Sequence, residues 1–249
     1  IAREVFGLLL EMGHKFRVDK KELERWSHYL QRLPAYRINN DGALAEWIDP
    51  HYPDVYNHRH LSHLYPVFPG SRLGKSKGDS RLIKAASVAL DKRFAFDTGS
   101  AHELIHVALQ AVRLGDIEKV KTNLDRFCRR HYLYDGLVTS HDPEHQVYNL
   151  DAVLSFPRLL MEMLVYTEKG KIELLPAWPH EYADGCIKGI QVYGGHTLDI
   201  TWKSGQLVEA VLHARQNESY EVVYGDRRTR LQLREGKTYH FSAQFFAEK

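Results

Sequence analysis

The sequence is poor in several features, and each shortage excludes a class of protein. Only two cysteines occur in 249 residues. Cys128 and Cys186 form no CxxC pair, so they specify neither a zinc site nor a disulfide framework, and they suit either redox compartment. Charge of one sign is also lacking: 34 Lys and Arg stand against 32 Asp and Glu, for a formal net charge of +2. Basic residues lie scattered among acidic ones, which provides no electrostatic footprint for nucleic acid or an anionic membrane. Long apolar runs are missing too. The strongest, residues 5–10, is followed at once by Glu11 and falls far short of the roughly 18 residues of a spanning helix. No nucleic-acid partner and no membrane are therefore expected. The phosphate and dinucleotide motifs GxxxxGK[ST] and GxGxxG do not occur, and no cofactor is expected. The chain opens Ile1-Ala2-Arg3-Glu4-Val5-Phe6 without methionine, basic n-region or signal-type apolar region, a start that looks cut.

Histidine, with 15 residues, and aromatics, at 11%, are what the chain has in quantity. The mixture suits a site that grips a polar, ring-shaped ligand, and it equally suits a large core. The length allows one large domain or two modest ones, and the apolar spacing changes along it. Up to about Thr167 the period is helical: Leu23, Trp26, Leu30 and Leu33 share one face, and Leu82, Ala85, Ala86, Ala89 and Leu90 another. Ser100 with Glu103 has the pattern of a capping box opening a helix that Gly115 stops. Asp116 is expected to cap the next, which closes on Arg129, Arg130 and His131, cations that suit a helix C-terminus. A further helix is expected to start near Pro157, as a first-turn proline. After Glu168 the period falls to two. Ile172, Leu174; Ile187, Ile190, Val192; Leu198, Ile200, Trp202; Leu207, Val211; Tyr220, Val222, Tyr224; Leu231, Leu233; and Tyr239, Phe241 predict about seven short strands. Turns are expected at Lys203-Ser204-Gly205 and Arg234-Glu235-Gly236. The fold class is thus mainly α plus all-β: helices over residues 1–168, then a small antiparallel β-sandwich over residues 169–249. Leu174-Leu175-Pro176-Ala177-Trp178-Pro179 reads as a linker strand whose prolines fix the path into the sandwich.

Function is expected on the long polar connections, residues 34–72 and 131–151. The densest constellation is Asn57-His58-Arg59-His60-Leu61-Ser62-His63-Leu64-Tyr65. Its histidines at i, i+2 and i+5 can converge on a metal, can bind sugar hydroxyls with Arg59, or can satisfy backbone groups in a buried seam. A second cluster, His141-Asp142-Pro143-Glu144-His145, leads into Tyr148-Asn149-Leu150-Asp151. Asp151 precedes the apolar residues 152–156, so partly desolvated surroundings are expected for it, where a charge needs a partner or a purpose; capping the following helix is the other reading. A third group, Asp41 to Trp47, sets Glu46 beside Trp47. A carboxylate and a ring are a sugar-site pair, and they are equally a solvated acid next to a core indole.

Taken in order, the motifs resemble those of a known family. They are Leu33-Pro-Ala-Tyr-Arg-Ile-Asn-Asn-Asp-Gly-Ala-Leu-Ala-Glu-Trp, then His58-Arg-His-Leu-Ser-His-Leu-Tyr-Pro-Val-Phe-Pro-Gly, then Thr98-Gly-Ser and Ala108-Leu-Gln-Ala-Val-Arg-Leu-Gly-Asp. Glu162-Met-Leu, Leu174-Leu-Pro-Ala-Trp-Pro, Gly185 and Gly194-Gly-His complete the series. The chain down to about His213 resembles glycoside hydrolase family 95, the α-L-fucosidases and some α-L-galactosidases. The resemblance implies an N-terminal β-domain, an (α/α)6 toroid and a C-terminal β-sandwich, of which this chain has the second half of the toroid and the sandwich. It implies a substrate glycan with terminal α-L-fucose or α-L-galactose, a secreted, periplasmic or extracellular full-length protein, and inverting hydrolysis. The missing N-terminal part would be a partner of this chain. In that scheme Asp151 matches the aspartate that polarises the water-holding asparagines, and Arg59 and His60 match residues that bind the sugar ring. His58, His63, Glu46, Trp47 and His141 complete the candidate substrate-binding set, with no metal ligand implied. The family's run Ile-Asp-Gly-Asn-Phe-Gly is here Leu150-Asp151-Ala152-Val153-Leu154-Ser155, and the family's general acid and asparagines lie upstream of anything that matches Ile1. Two other classes remain: a catalytically silent carbohydrate-binding relative, and a metal-dependent hydrolase using His58, His60 and His63. A half-toroid is also expected to leave an apolar seam exposed on its first helix, residues 5–12.

Overall fold

The computed structural model describes residues 1–75, 77–96, 99–130, 132–134, 140–142 and 147–247. Thr98, His131, Pro143, Glu144 and His145 from the motifs above lie outside the described residues. The helical part comprises α1 (Ala2–Lys15), α2 (Lys20–Arg32), α3 (Ser80–Phe94), α4 (Ala101–Leu114), α5 (Ile117–Arg129) and α6 (Leu150–Leu164), with a 3-10 turn at Ser62–Leu64. Side-chain caps start four of them: Asp19, Asp79, Asp116 and Asn149 each accept from a backbone N–H of the first turn, satisfying donors that a helix start otherwise leaves unpaired. Gly115, at φ 77°, takes the left-handed conformation that ends α4. The capping box at Ser100 does not form on the serine side, since the Ser100 hydroxyl makes no cap bond and is buried.

α4 is the central helix, buried along most of its length and packed on α3, α5 and α6. Leu104, Ile105, Ala108, Leu109 and Ala111 meet Ala86, Ala89 and Leu90 of α3, Val120 and Phe127 of α5, and Leu159 and Met163 of α6 in one apolar core. The small alanines let the backbones approach. α1 and α2 pack mainly on each other, with Phe6 against Tyr29 and Gly13 against Leu23 and Trp26. The opposite face of α1 carries Ile1, Val5, Leu8 and Met12, followed by Phe16, all exposed; spacings of four, three and four make them one apolar stripe.

Two boundaries differ from the sequence expectation. α6 begins at Leu150, not near Pro157, and Pro157 lies inside it. The cap on Asn149 starts the helix early, and Pro157 is exposed, so water can take the Val153 carbonyl that the proline ring leaves without a donor. The chain turns from helix to strand at Leu164–Val165, a few residues before Glu168.

The β part has eight strands among the described residues: β1 (Val165–Glu168), β2 (Lys171–Leu174), β3 (Gly185–Gln191), β4 (Thr197–Lys203), β5 (Gln206–His213), β6 (Glu218–Tyr224), β7 (Arg227–Leu233) and β8 (Thr238–Phe241), then a short α7 (Ala243–Ala247). They form two four-stranded sheets, ordered β1-β2-β6-β7 and β3-β4-β5-β8. The sandwich is not wholly antiparallel, because β2 runs parallel to β6, with Ile172 opposite Val222. Inward residues Ile172, Leu174, Tyr220 and Val222 of one sheet face Leu198, Ile200, Leu212 and Phe241 of the other in a second core. Ser204 and Gly205, both at positive φ, make the β4–β5 turn, a two-residue geometry that follows strand twist. Trp178, on the linker, packs against both cores and meets Trp202 edge-on at 5.1 Å.

Candidate active site

The N-terminal half of α4 gathers side chains from three other parts of the chain. His102 and His106, four residues apart, lie on one face with ring centroids 4.2 Å apart. His60 meets His102 edge-on at 5.1 Å, His58 lies 5.3 Å from His60, and Phe68 closes the other end against His106 at 5.7 Å. The rings form a continuous column. From α6, the Asp151 carboxylate comes to 3.9 Å from His102 Nδ1. The segment at residues 140–142 ties the two helix starts together: the Ala101 N–H donates to the His141 carbonyl, and the Asn149 amide donates to His141 Nδ1 at 2.9 Å while its oxygen caps α6.

Burial is the main cause that holds the His60, His102 and His106 imidazoles below the ordinary range, with neighbouring rings and Arg59 adding to it. His106 is pushed down to about 4. For His102 the Asp151 charge pulls the other way. These three rings are neutral at pH 7, and a neutral imidazole both donates and accepts, as a hydroxyl does. Arg59 is exposed at the edge of the column, where its planar fork is available to oxygen acceptors. Asp151 has a side chain 74% exposed, so the desolvated setting expected for it is not found; its position in the first turn of α6 points the carboxylate outward. It does not cap the helix, because Asn149 does.

The site segment is anchored from below. Arg93 of α3 is 1% exposed; its guanidinium donates to the His58 carbonyl at 2.8 Å and to Glu46 at 2.9 Å. Glu46 is thus turned toward a buried cation and away from the imidazole column. Trp47 is half-exposed and rests on Tyr52 at 5.8 Å. His63 follows the 3-10 turn into the interior, where burial and the nearby Arg93 charge push it down to about 4. The structure therefore brings together Arg59, His58, His60, His141 and Asp151, and sets Glu46, Trp47 and His63 apart. Among the described residues, no group of three or more His, Cys, Asp or Glu is arranged to hold a metal ion. His102 and His106 were missed in the sequence because Ala101-His-Glu-Leu-Ile-His is read as an ordinary amphipathic helix; the HExxH spacing of residues 102–106 was the available signal.

An exposed carboxylate, a guanidinium and a row of neutral imidazoles provide hydrogen bonds in both directions together with flat surfaces. That is what recognition of a hydroxylated ring requires. Comparison with known sequences agrees. Residues 1–164 match the glycosyl hydrolase family 95 catalytic domain, and residues 167–244 match the glycoside hydrolase family 95 C-terminal domain. Over 221 residues the chain is 31% identical to Alpha-L-fucosidase 2 of Arabidopsis thaliana, covering 84% of this chain and 25% of that protein. Over 215 residues it is 26% identical to Probable alpha-fucosidase A of Aspergillus oryzae, covering 77% of this chain and 29% of that protein. The chain thus spans less than a third of the length of these relatives. With both of its parts matched in order, the chain belongs to glycosyl hydrolase family 95.

Proposed function

We propose that this chain forms part of an inverting glycoside hydrolase that removes terminal α-L-fucosyl or α-L-galactosyl residues from glycans. Residues 1–168 supply the second half of an (α/α)6 toroid, and the general acid is supplied from upstream. The observation that carries this reading is the convergence of Arg59 and His60 with Asp151 around α4, since these are the positions that match the ring-binding and water-polarising residues of the family. Arg59 and His60 hold the sugar hydroxyls. Asp151 is the carboxylate on the opposite side of the ring, where it draws a proton from the attacking water through amide groups while the acid protonates the leaving oxygen. The exposed stripe on α1 is the surface against which the upstream helices pack. The test is to express the chain with its upstream sequence, assay aryl α-L-fucoside and α-L-galactoside, and follow the anomer first released by proton NMR. The expected result is turnover of one of the two with inversion; retention, or binding of L-fucose without turnover of either glycoside, would refute it.

A further inference from the structure

Nothing established for this chain gives a role to the histidines of α4. Yet His102 occupies the junction of the site: its ring lies edge-on to His60, its Nδ1 faces the Asp151 carboxylate, and His106 backs it one turn below. Asp151 stands largely in solvent, and among the described residues the basic side chain beside its carboxylate is His102, at 3.9 Å. A solvent-exposed carboxylate at the end of a rotatable bond is poorly oriented unless a neighbour holds it. His102 itself is oriented, half-buried and wedged between two other rings.

We propose that His102 is a positioning residue for Asp151, its Nδ1 edge, 3.9 Å from the carboxylate, setting which way that group turns relative to His60 and Arg59, where the ligand is held. This rests on the glycosidase reading for the purpose of the contact, and the contact itself is tested without turnover. The groups that face His102 are His60 and Arg59 from the loop, His141 from the segment before α6, Asp151 from α6, and His106 on α4 itself. Asp151 is the sole anion in this set, so its removal has a signature different from that of the others.

The experiment uses this chain labelled with 15N-histidine, followed by long-range 1H–15N spectra from about pH 3 to 8, a range that brackets the His63 midpoint of about 4. Asp151→Asn is expected to lower the His102 titration midpoint by about 0.5 pH unit or more, because the neighbouring negative charge favours the imidazolium. The His63 midpoint, set by burial and Arg93 on the other side of the loop, is expected to stay unchanged. His102 and His63 moving together, or His102 staying within about 0.1 unit, would overturn the proposal. Asp151 is exposed, so this variant keeps its fold; an unchanged thermal midpoint checks that. If instead the longer protein shows no glycoside turnover while the His102–Asp151 coupling is present, the glycosidase reading fails and the contact stands.

Discussion

His63 shows how a residue can look functional in sequence and be structural in space. It follows His58 and His60 in a dense polar run, but the 3-10 turn at Ser62–Leu64 rotates it inward. There its Nδ1 is buried with no hydrogen-bond partner among the described residues. Such a ring has a consequence for stability. His63 and His106 both have folded-state pKa values of about 4, against 6.5 for a free imidazole. Between pH 6.5 and 4 the unfolded chain binds protons that the folded chain refuses, so stability rises with pH across this window and falls as pH drops. At about 1.4 kcal/mol per pH unit, each ring withdraws on the order of 3 kcal/mol by pH 4. Urea unfolding midpoints measured at pH 7 and pH 4.5 are expected to fall steeply for the wild type and less steeply for His63→Leu; parallel curves would contradict the assignment. Motif order singled out Arg59, His60 and Asp151, and the structure places them near one another around α4. The α4 imidazoles carry a sequence signal, the HExxH spacing of His102 to His106, but only the structure shows that the loop with His60 closes over them.

At the scale of elements, local rules were legible wherever the partner lay nearby in sequence. Gly115 ended one helix and Asp116 began the next as their chemistry requires, and the β4–β5 turn took the residues that positive φ demands. Where the deciding contact was distant, sequence reasoning missed it. The start of α6 depends on Asn149, which also serves His141; β1 was read as helix because its four residues gain a strand partner only when Val165 pairs with Leu174. The most consequential distant contact is Arg93, whose guanidinium joins α3 to the two loop segments at Glu46 and His58. Removing one partner of a buried pair leaves a desolvated charge and costs about 3–5 kcal/mol. Arg93→Met is expected to lose stability of that order in chemical denaturation, and the His58 and His60 ring resonances should broaden or shift. A loss below about 1 kcal/mol would mean that the loop is held by something else.

For the whole molecule, the change of apolar period read after Glu168 was enough to divide helices from sheets to within a few residues of the turn at Leu164–Val165, since it depends only on local spacing. The parallel β2–β6 pairing was not legible: it joins residues 171–174 to 221–224, with three other strands between. Nor was the role of Trp178, which is read as a linker residue and proves to belong to both cores. Trp178 is partly buried, so Trp178→Ala should cost less than the about 3–5 kcal/mol of a fully buried aromatic, and it should split a single calorimetric transition into two as the helical and β parts lose their common contact. The proposed reaction turns on one carboxylate, that of Asp151. Its most direct test is the turnover number of Asp151→Asn in the protein with its upstream sequence, on the aryl glycoside that the wild type hydrolyses. Loss of a positioned base predicts a fall of about 10²–10⁴-fold with an unchanged fold; activity within about twofold of wild type would contradict the assignment of Asp151 to the reaction.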